Sequence, residues 1–433
     1  MARQEAPVSP PVVLTIAGSD SGGGAGIQAD LKTIEAGGAF GTSAITSVTA
    51  QNTRGVHGSH LLPIEDIEAQ IDAVFDDFDV AAVKTGMLAT EDVIETVRGY
   101  ADRLPNLVVD PVMVAASGDR LLEPDAEDAY EALIAESTLV TPNADEAAVL
   151  TGIDPENEGE AREVGQRLVE MGADAALVKG GHIPVPEVTD VLVTDEDVTT
   201  IRHPRVDTDS THGSGCTLSS AVATRLSHGD NLAAAVESGV DLLSRAIRYN
   251  LDVGEGAGAV HHTVEARDRA ARERTAETVE GIVAALIDRD VTPVVDAAGL
   301  DVVGATPYAE HEHDVAAVEG RVARTLSGLR PNRGVRFGAS GRTAELLLNA
   351  REERPALSFA CRCRNDSRVE AALKELEWGT IDLERDGGPG RVEDAIGPET
   401  VALLDRRASS TIVLAERAPT LRERVVTLAE TIA

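Results

Sequence analysis

The chain has 433 residues, which exceeds the usual size of a single hydrophobic core and predicts two domains. Its formal net charge is −35, with 74 acidic against 39 basic residues, which argues against partners such as nucleic acid or an anionic membrane. No run of about 18 apolar residues is present, and the apolar run near the amino terminus is too short for a signal peptide, so we expect a soluble cytoplasmic protein. The acidic excess is typical of surfaces adapted to high salt.

Lysine is scarce in this acidic chain and occurs only at positions 32, 84, 179 and 374. Each lysine is therefore informative, and Lys32, Lys84 and Lys179 all lie in glycine-containing stretches of the first half. Three cysteines, one of them far from the other two, do not have the spacing of a disulfide framework.

Short β-rich apolar runs alternate with longer segments of helical periodicity over the first 250 residues or so. This alternation predicts an α/β domain whose mainly parallel sheet is covered by helices on both faces. Ligands of such sheets bind at the carboxyl ends of the strands, which here carry residue types that phosphate sites use. The predicted strands are 12–18, 44–50, 80–86, 107–112, 138–143 and 175–181, and the clearest helices are 64–78 and 158–172.

The alternating pattern fades at 254–280, where a glycine-rich stretch gives way to a charged helical segment. We place the domain boundary near residue 265, so that the domains are 1–265 and 266–433. The second domain is smaller and again mixes helix and strand patterns, with strands predicted at 335–341 and 356–363.

The stretch "THGSGCTL" at 211–218 places Gly213, Ser214 and Gly215 directly before a helical segment. Unpaired amides at a helix amino terminus attract negative charge, so the three residues are candidates for an anion hole, although a tight turn is the simpler alternative. Cys216 falls in the first turn of that helix, where the pKa of a thiol is lowered. The alternative for Cys216 is a small buried apolar residue.

Other polar residues stand near glycines or at predicted strand ends, and each alone is unspecific. The glycine-rich stretch 17–33 lacks the Walker A spacing and its lysine, and it contains Asp30 as a candidate polar contact. Gln51 ends a predicted strand, where its carboxamide can pair with the donor and acceptor edge of a heterocycle. Met87 offers an apolar lid.

The order of these stretches is specific. It resembles, motif by motif over about residues 12–262, the hydroxymethylpyrimidine/phosphomethylpyrimidine kinase family of thiamine biosynthesis, within the ribokinase-like superfamily. The resemblance implies a three-layer αβα domain that uses ATP and Mg²⁺, and a homodimer is usual in this superfamily. It also implies phosphorylation of 4-amino-5-hydroxymethyl-2-methylpyrimidine, followed by a second phosphorylation of the product. The motifs are "TIAGSDSGGGAGIQADLKT", "TAQNTRGV", "KTGML", "VVDPVM", "TPNADEA", "VKGGH", "THGSGCTLSSA" and "GAVHH".

The resemblance assigns roles by position. Four residues would bind the pyrimidine or line its pocket, three would form the anion hole, and the rest would handle ATP, metal and catalysis. The pyrimidine pocket would contain Gly18, Asp30, Gln51 and Met87, and the anion hole would be formed by Gly213, Ser214 and Gly215. The ATP phosphates would be bound by Asn143 and Lys179, and Mg²⁺ by Asp110 and Glu146. The catalytic residues would be Cys216 and Lys179.

A cysteine stands where most ribokinase-like sugar kinases have an aspartate base. The first phosphoryl transfer starts from a neutral hydroxyl and benefits from a base, whereas the second starts from an oxygen that is already anionic. A thiol suits both steps because a permanent carboxylate would repel the phosphorylated acceptor. The alternative for this domain is another vitamin kinase of the superfamily, notably pyridoxal kinase.

Residues 266–433 resemble more loosely the ThiN-type thiamine-phosphate synthase domain that is often fused behind this kinase in archaea. The matching pieces are 314–326, 337–342 and 376–379, whereas the family's histidine after "FGAS" and its basic glycine-rich motif are replaced here. Arg321, Arg342 and Arg422 are candidates to hold pyrophosphate, or they are halves of ion pairs. The domain is then a synthase using thiazole phosphate, a sensor of thiamine phosphate, or a structural appendage. "CRC" at 361–363 is expected to lie in a strand.

Overall fold

The computed structural model describes residues 6–113, 122–123, 126–183, 187–383 and 396–433. Its contacts divide the chain into two compact units, Met1–Glu265 and Ala266–Ala433.

The first unit is built on one sheet of nine strands among the described residues, in the order β3-β2-β1-β4-β5-β6-β7-β8-β9. The strands from β2 through β1 and β4 to β7 are parallel, while β3, β8 and β9 are antiparallel to their neighbours. The prediction of a mainly parallel sheet is confirmed. The strands are Val12–Asp20 (β1), Phe40–Asn52 (β2), Gly55–Leu61 (β3), Val80–Thr85 (β4), Leu107–Val109 (β5), Leu139–Val140 (β6), Ala175–Val178 (β7), Glu187–Thr194 (β8) and Val198–Pro204 (β9).

Helices cover both faces of this sheet. Successive strand residues point to opposite faces, so Leu14 and Ile16 join one apolar core while Val13 joins another. One core contains α2, α3, α4 and α6, and the other contains α1, α7 and α8. The helices are Gly26–Ala36 (α1), Ile64–Asp77 (α2), Glu91–Arg98 (α3), Glu127–Ile134 (α4), Ala144–Thr151 (α5), Glu158–Glu170 (α6), Ser214–Ser227 (α7) and Leu232–Arg248 (α8).

All six predicted strands of this unit are present, but its antiparallel strands were not predicted. β3 is an edge strand whose residues are mostly exposed, so its sequence lacks the alternation of apolar and polar residues that predicts a strand. Strand ends also shift: the run 138–143 contributes only Leu139–Val140, because Pro142 lacks an amide donor and Asn143 caps α5.

The second unit is built on a seven-stranded sheet in the order β14-β11-β10-β15-β18-β17-β16, within the part of the unit that the structure describes. Only β16 and β17 are parallel. α9, α11 and α12 pack on one face and α10 on the other. Its elements are α9 (Val264–Asp288), β10 (Asp301–Ala305), β11 (Val315–Val318), β12 (Val322–Thr325), β13 (Gly328–Pro331), β14 (Val335–Phe337), α10 (Arg342–Glu353), β15 (Phe359–Arg364), α11 (Ser367–Glu375), β16 (Gly379–Asp382), β17 (Thr400–Asp405), β18 (Ser410–Ala415) and α12 (Ala418–Ile432).

The mixed α/β prediction for this unit is confirmed, although the strand predicted at 335–341 ends at Phe337. Cys361 and Cys363 lie in β15 as expected, both buried in the core with their sulfurs 3.9 Å apart. Across the described ranges, no helix combines the length and the apolar character that a bilayer span requires.

Candidate active site

Three charged residues meet at the carboxyl edge of the first sheet. Lys179 follows β7, Asp110 follows β5, and Glu146 lies in the first turn of α5. The Lys179 Nζ is 3.1 Å from Asp110 Oδ1 and 3.6 Å from Glu146 Oε2. The two carboxylates are almost completely buried. The structure therefore brings together the lysine and the two carboxylates that the sequence assigned to phosphate and metal.

The surroundings of this cluster stabilise the charge of Lys179 more than the charge of Glu146. Burial alone would lower the pKa of Lys179, but the Asp110 and Glu146 charges raise it above its usual value, so the ammonium persists. Burial raises the pKa of Glu146 to about 7, although Lys179 opposes the shift. Lys179 lies closer to Asp110, so Glu146 gains less from the ammonium than it loses by desolvation.

Asn143 and Glu146 form a capping box at the start of α5. The Asn143 side chain accepts from the Glu146 amide at 2.9 Å, and Glu146 Oε2 accepts from the Asn143 amide at 2.8 Å. The side-chain oxygen of Asn143 is thus occupied in orienting Glu146. The predicted contact of Asn143 with ATP phosphates therefore depends on its side-chain nitrogen, Nδ2.

The amino terminus of α7 approaches the same cluster. A Cβ placed on Gly215 would lie 3.3 Å from Asp110 Oδ2 and 3.4 Å from Lys179 Nζ. Gly213 has φ +83°, a conformation that favours glycine, and a Cβ there would lie 1.8 Å from the Gly24 carbonyl oxygen. The loop before α7 therefore packs backbone against backbone on the glycine-rich loop 21–26.

One of the three amides predicted for the anion hole is already used within the protein. The Ser214 amide donates to the Thr211 carbonyl at 3.1 Å, so it is not free for a ligand. Within the described residues, the Gly215 and Cys216 amides donate to no backbone carbonyl. The Gly215 and Cys216 amides are therefore available as donors at the start of this helix.

Cys216 retains part of its surface, yet the protein surrounds its thiol closely. Burial raises the pKa of Cys216 to about 12, although the Lys84 ammonium opposes the shift. The predicted lowering of this pKa by the helix terminus is wrong, because the cost of desolvating a thiolate exceeds the gain from the helix and the cation.

Asp30 belongs to a buried network. Its carboxylate accepts from Lys84 Nζ at 3.0 Å, Thr15 Oγ1 at 2.7 Å and Ser220 Oγ at 2.9 Å. Neither Asp30 nor Lys84 has exposed surface. These contacts do not support Asp30 as a direct pyrimidine contact, because three protein donors already satisfy its carboxylate.

The other predicted pyrimidine contacts lie around the end of β1, which is flanked by β2 and β4. A Cβ on Gly18 would lie 3.2 Å from Met87 Cε and 2.8 Å from Ser47 Oγ. The Ser47 hydroxyl is buried without a hydrogen-bond partner among the described residues, which marks a place for a polar ligand atom. Gln51 lies half-buried at the end of β2.

Two further residues, Asp20 and His212, organise this region and were not predicted. Asp20 ends β1, and its carboxylate accepts from the amides of Gly22, Gly24 and Ala25 at 2.7 to 2.9 Å. His212 Nε2 lies 3.2 Å from Asp20 Oδ2. The sequence signals were an aspartate entering a glycine-rich turn and a histidine beside the anion-hole glycines.

The donor set at the sheet edge suits magnesium when phosphates complete the coordination. Among the described residues, no group of three or more histidine, cysteine or carboxylate side chains is arranged to hold a metal alone. Mg²⁺ in phosphoryl-transfer sites uses one or two carboxylates, waters and substrate phosphates, which the pair Asp110 and Glu146 matches.

The three arginines singled out in the second unit do not form one cradle. Arg321 Nε lies 3.9 Å from Asp301, and Arg342 pairs with Glu345 at 2.9 Å. Arg422 lies on α12, which covers the face of the sheet opposite α10. The alternative that these arginines are halves of ion pairs therefore holds for Arg321 and Arg342, and the sheet separates Arg422 from Arg342.

A three-layer αβα domain with a lysine and two carboxylates at its sheet edge, facing free amides at a helix start, defines a ribokinase-like phosphotransferase. The phosphomethylpyrimidine kinase family model matches residues 20–261. This match spans more than half of the chain, so the chain belongs to the phosphomethylpyrimidine kinase family. A second model, thiamine-phosphate synthase ThiN, matches residues 247–420. The kinase of thiamine biosynthesis and the ThiN domain expected from the sequence are both confirmed.

Curated relatives agree with this assignment. The chain is 46% identical over 258 residues to the hydroxymethylpyrimidine/phosphomethylpyrimidine kinase of Streptomyces coelicolor, which covers 59% of this chain and 96% of the relative. It is 43% identical over 271 residues to the thiamine biosynthesis bifunctional protein ThiED of Geobacter sulfurreducens, covering 61% of this chain and 55% of the relative.

Solved structures confirm the fold. A pyridoxal kinase from Bacillus subtilis in complex with ADP superposes with a TM-score of 0.55 at 32% identity, covering 59% of this chain and 98% of that structure. A pyridoxal kinase from Staphylococcus aureus in complex with AMP-PCP and pyridoxal gives a TM-score of 0.56 at 28% identity, covering 60% and 96%. Pyridoxal kinase is thus a structural relative of this chain, whereas the curated relative from Streptomyces coelicolor is a pyrimidine kinase.

Proposed function

We propose that the first unit transfers phosphate from ATP to the hydroxyl of 4-amino-5-hydroxymethyl-2-methylpyrimidine, and then to the phosphate of the product. The observation that carries this proposal is the closeness of Gly215 to Lys179 and Asp110, such that a Cβ on this glycine would touch both side chains. It places free helix amides, an ammonium and a carboxylate around one point, which is what a transferring phosphoryl group requires.

Lys179 and the amides of Gly215 and Cys216 bind the phosphate oxygens and offset the charge that accumulates on them. Asp110 and Glu146 would hold Mg²⁺, which would supply charge neutralisation at the phosphates. Without nucleotide, the Lys179 ammonium pairs with both carboxylates, and the nucleotide then provides other partners. Ser47, Met87 and Gln51 orient the acceptor beside Cys216.

Cys216 serves mainly the first transfer. Its raised pKa keeps the resting thiol neutral, so it does not repel a phosphorylated acceptor. As the hydroxyl oxygen attacks phosphorus, the thiolate form takes the hydroxyl proton. The second transfer starts from a phosphate oxygen that has no proton to lose at neutral pH, so no base is needed.

The test is ATP consumption with hydroxymethylpyrimidine or pyridoxal as acceptor, followed by the mass of the product to count its phosphates. Turnover with the pyrimidine and a product carrying two phosphates support the proposal. Faster turnover with pyridoxal, or a product that never gains the second phosphate, contradicts it.

For the second unit we propose a ligand site for thiamine phosphate or its thiazole phosphate precursor. The support is the ThiN match together with Ser340 and Thr343 at the start of α10, whose hydroxyls donate to Asp301 on β10. The full chain is supplied with pyrimidine diphosphate and thiazole phosphate at high salt, and formation of thiamine phosphate identifies a synthase. Calorimetry with thiamine phosphate then separates a sensor, which binds it, from a structural appendage, which does not.

The first unit also carries a surface that suits a homodimer. Phe40, Val48 and Leu61 on β2 and β3 are large apolar residues at the sheet edge, each more than a third exposed. A second copy covering this edge removes them from water. Sedimentation at high salt measures the mass directly, and a monomer at micromolar concentration contradicts the dimer.

A further inference from the structure

Gln51 presents its carboxamide between two polar neighbours. Its Oε1 lies 3.3 Å from Thr49 Oγ1, and its Nε2 lies 3.4 Å from His212 Nε2. The oxygen and nitrogen ends of a carboxamide have nearly the same shape, so hydrogen bonding at the neighbours decides which end faces which.

The Thr49 hydroxyl can only accept from Gln51. Its single hydrogen is donated to the Ser19 carbonyl, which lies 2.7 Å away. A hydroxyl whose hydrogen is used retains lone pairs and therefore pairs with an N–H. Thr49 thus favours the nitrogen end of the Gln51 carboxamide on its side.

The His212 nitrogen that lies beside Gln51 on the other side cannot accept a hydrogen bond. The Asp20 carboxylate is buried, but the bond from His212 and those from the Ala25 and Gly22 amides lower its pKa, so it is ionised and only accepts. Its Oδ2 lies 3.2 Å from His212 Nε2, which must then carry a hydrogen. A nitrogen with a hydrogen has no lone pair for the Gln51 amide hydrogens, so His212 favours the oxygen end.

Both neighbours therefore select one orientation of the carboxamide, with oxygen toward His212 and nitrogen toward Thr49. We propose that the Asp20–His212 pair fixes the polarity of Gln51 and so selects a heterocycle with an exocyclic amino group beside an unprotonated ring nitrogen. This inference rests on the proposed pyrimidine kinase function. His212 is a positioning residue that acts through Gln51.

The selection of the heterocycle depends on how the carboxamide oxygen and nitrogen face the substrate ring. Its oxygen accepts from the amino group of the ring, and its nitrogen donates to the adjacent ring nitrogen. A 4-oxo analogue presents a carbonyl beside a ring N–H, the reverse order, and leaves both pairs unmade in the buried site. Sites that hydrogen-bond their substrate reject such analogues strongly because the unpaired groups remain desolvated.

The experiment compares kcat/KM for 4-amino-5-hydroxymethyl-2-methylpyrimidine with that for its 4-oxo analogue in the full chain. The wild type is expected to prefer the amino compound at least 100-fold, about 2.7 kcal/mol. In His212→Leu only Thr49 still orients the carboxamide, so the preference falls at least tenfold, through the KM of the pyrimidine, while the KM of ATP is unchanged. Thr49→Val removes the other neighbour and is expected to act in the same direction.

A matched control is His228→Leu at the other end of α7, where His228 Nε2 lies 3.2 Å from the Gly37 carbonyl. It should leave the preference unchanged. An unchanged preference in His212→Leu, or a lower kcat at constant preference, overturns the inference, and Thr49→Val decides if His212→Leu does not fold. A wild type that phosphorylates neither compound refutes the proposed function instead.

Discussion

Lys84 Nζ lies 3.0 Å from each carboxylate oxygen of Asp30, and neither side chain has any surface in contact with solvent. Removing one partner of such a pair strands a buried charge, which costs about 3–5 kcal/mol. We expect Lys84→Met to lower the free energy of unfolding by that amount, measured by urea denaturation at high salt. Lys84→Met combined with Asp30→Leu should recover most of the loss. Equal destabilisation in the single and double variants would contradict the buried pair.

Cys216→Ala is expected to slow phosphorylation of the hydroxymethylpyrimidine far more than phosphorylation of its monophosphate, because only the first acceptor has a proton to lose. The reduction in kcat for the first step should be about 10²-fold or more, the usual contribution of a base. Steady-state assays with each acceptor measure it. Equal losses on both acceptors would refute the assignment, and no loss on either would make Cys216 a packing residue.

The pKa of Cys216 sets a second expectation for the same step. With a thiol pKa of about 12, the thiolate fraction rises tenfold for each pH unit below that value. The rate of alcohol phosphorylation should therefore rise close to tenfold per unit between about pH 7 and 9, whereas phosphorylation of the monophosphate should stay nearly flat. Parallel pH profiles for the two acceptors would contradict this role.

Glu146→Gln should make the ligand-free protein more stable at alkaline pH. Burial raises the pKa of Glu146 to about 7, so its favourable contribution is complete below its ordinary value near 4.5 and is lost as pH rises through 7. Denaturation midpoints at pH 5 and pH 8 should show a gain of about 1–3 kcal/mol at the higher pH only. Glu131→Gln on α4, an exposed site, is the control. A gain of the same size at both pH values would contradict the shift.

Gly213→Ala is expected to disrupt the start of α7, because a Cβ there would lie 1.8 Å from the Gly24 carbonyl oxygen. Gly229→Ala is a matched control at the other end of α7, since Gly229 also has a left-handed φ, +88°, but open space around its Cβ. The control should lose about 1–2 kcal/mol from backbone strain alone. Gly213→Ala should lose more and also raise the KM of ATP. Similar losses in both variants would show that the close packing is unimportant.

Much of the site could be predicted because strand ends are visible in sequence. Asp110, Lys179 and Gly215 each follow or precede a recognisable element, and parallel topology brings such positions to one edge. Burial and partners could not be predicted in this way. Asp30 is of a residue type that often contacts ligands. Its carboxylate is bound instead by Lys84, Thr15 and Ser220, which lie on three other elements, and only the folded structure shows these contacts.

The same limit explains the pKa of Cys216 and the omission of His212. A helix start is apparent in the sequence, but the desolvation that outweighs it is a property of the assembled pocket. The edge strands β3 and β9 were missed because antiparallel edges lack the continuous apolar runs of a buried parallel strand, and the antiparallel β8, which lies between β7 and β9, was missed as well.

The contact between the loops at Gly24 and Gly213 limits how this domain can change. A Cβ on Gly24 would lie 2.5 Å from the His212 ring, and a Cβ on Gly213 would reach the Gly24 carbonyl. Each loop thus sets the size of residue that the other can tolerate, although the two are far apart in the chain. Substitutions in one are expected to be acceptable only with changes in the other, so the two segments must be engineered together.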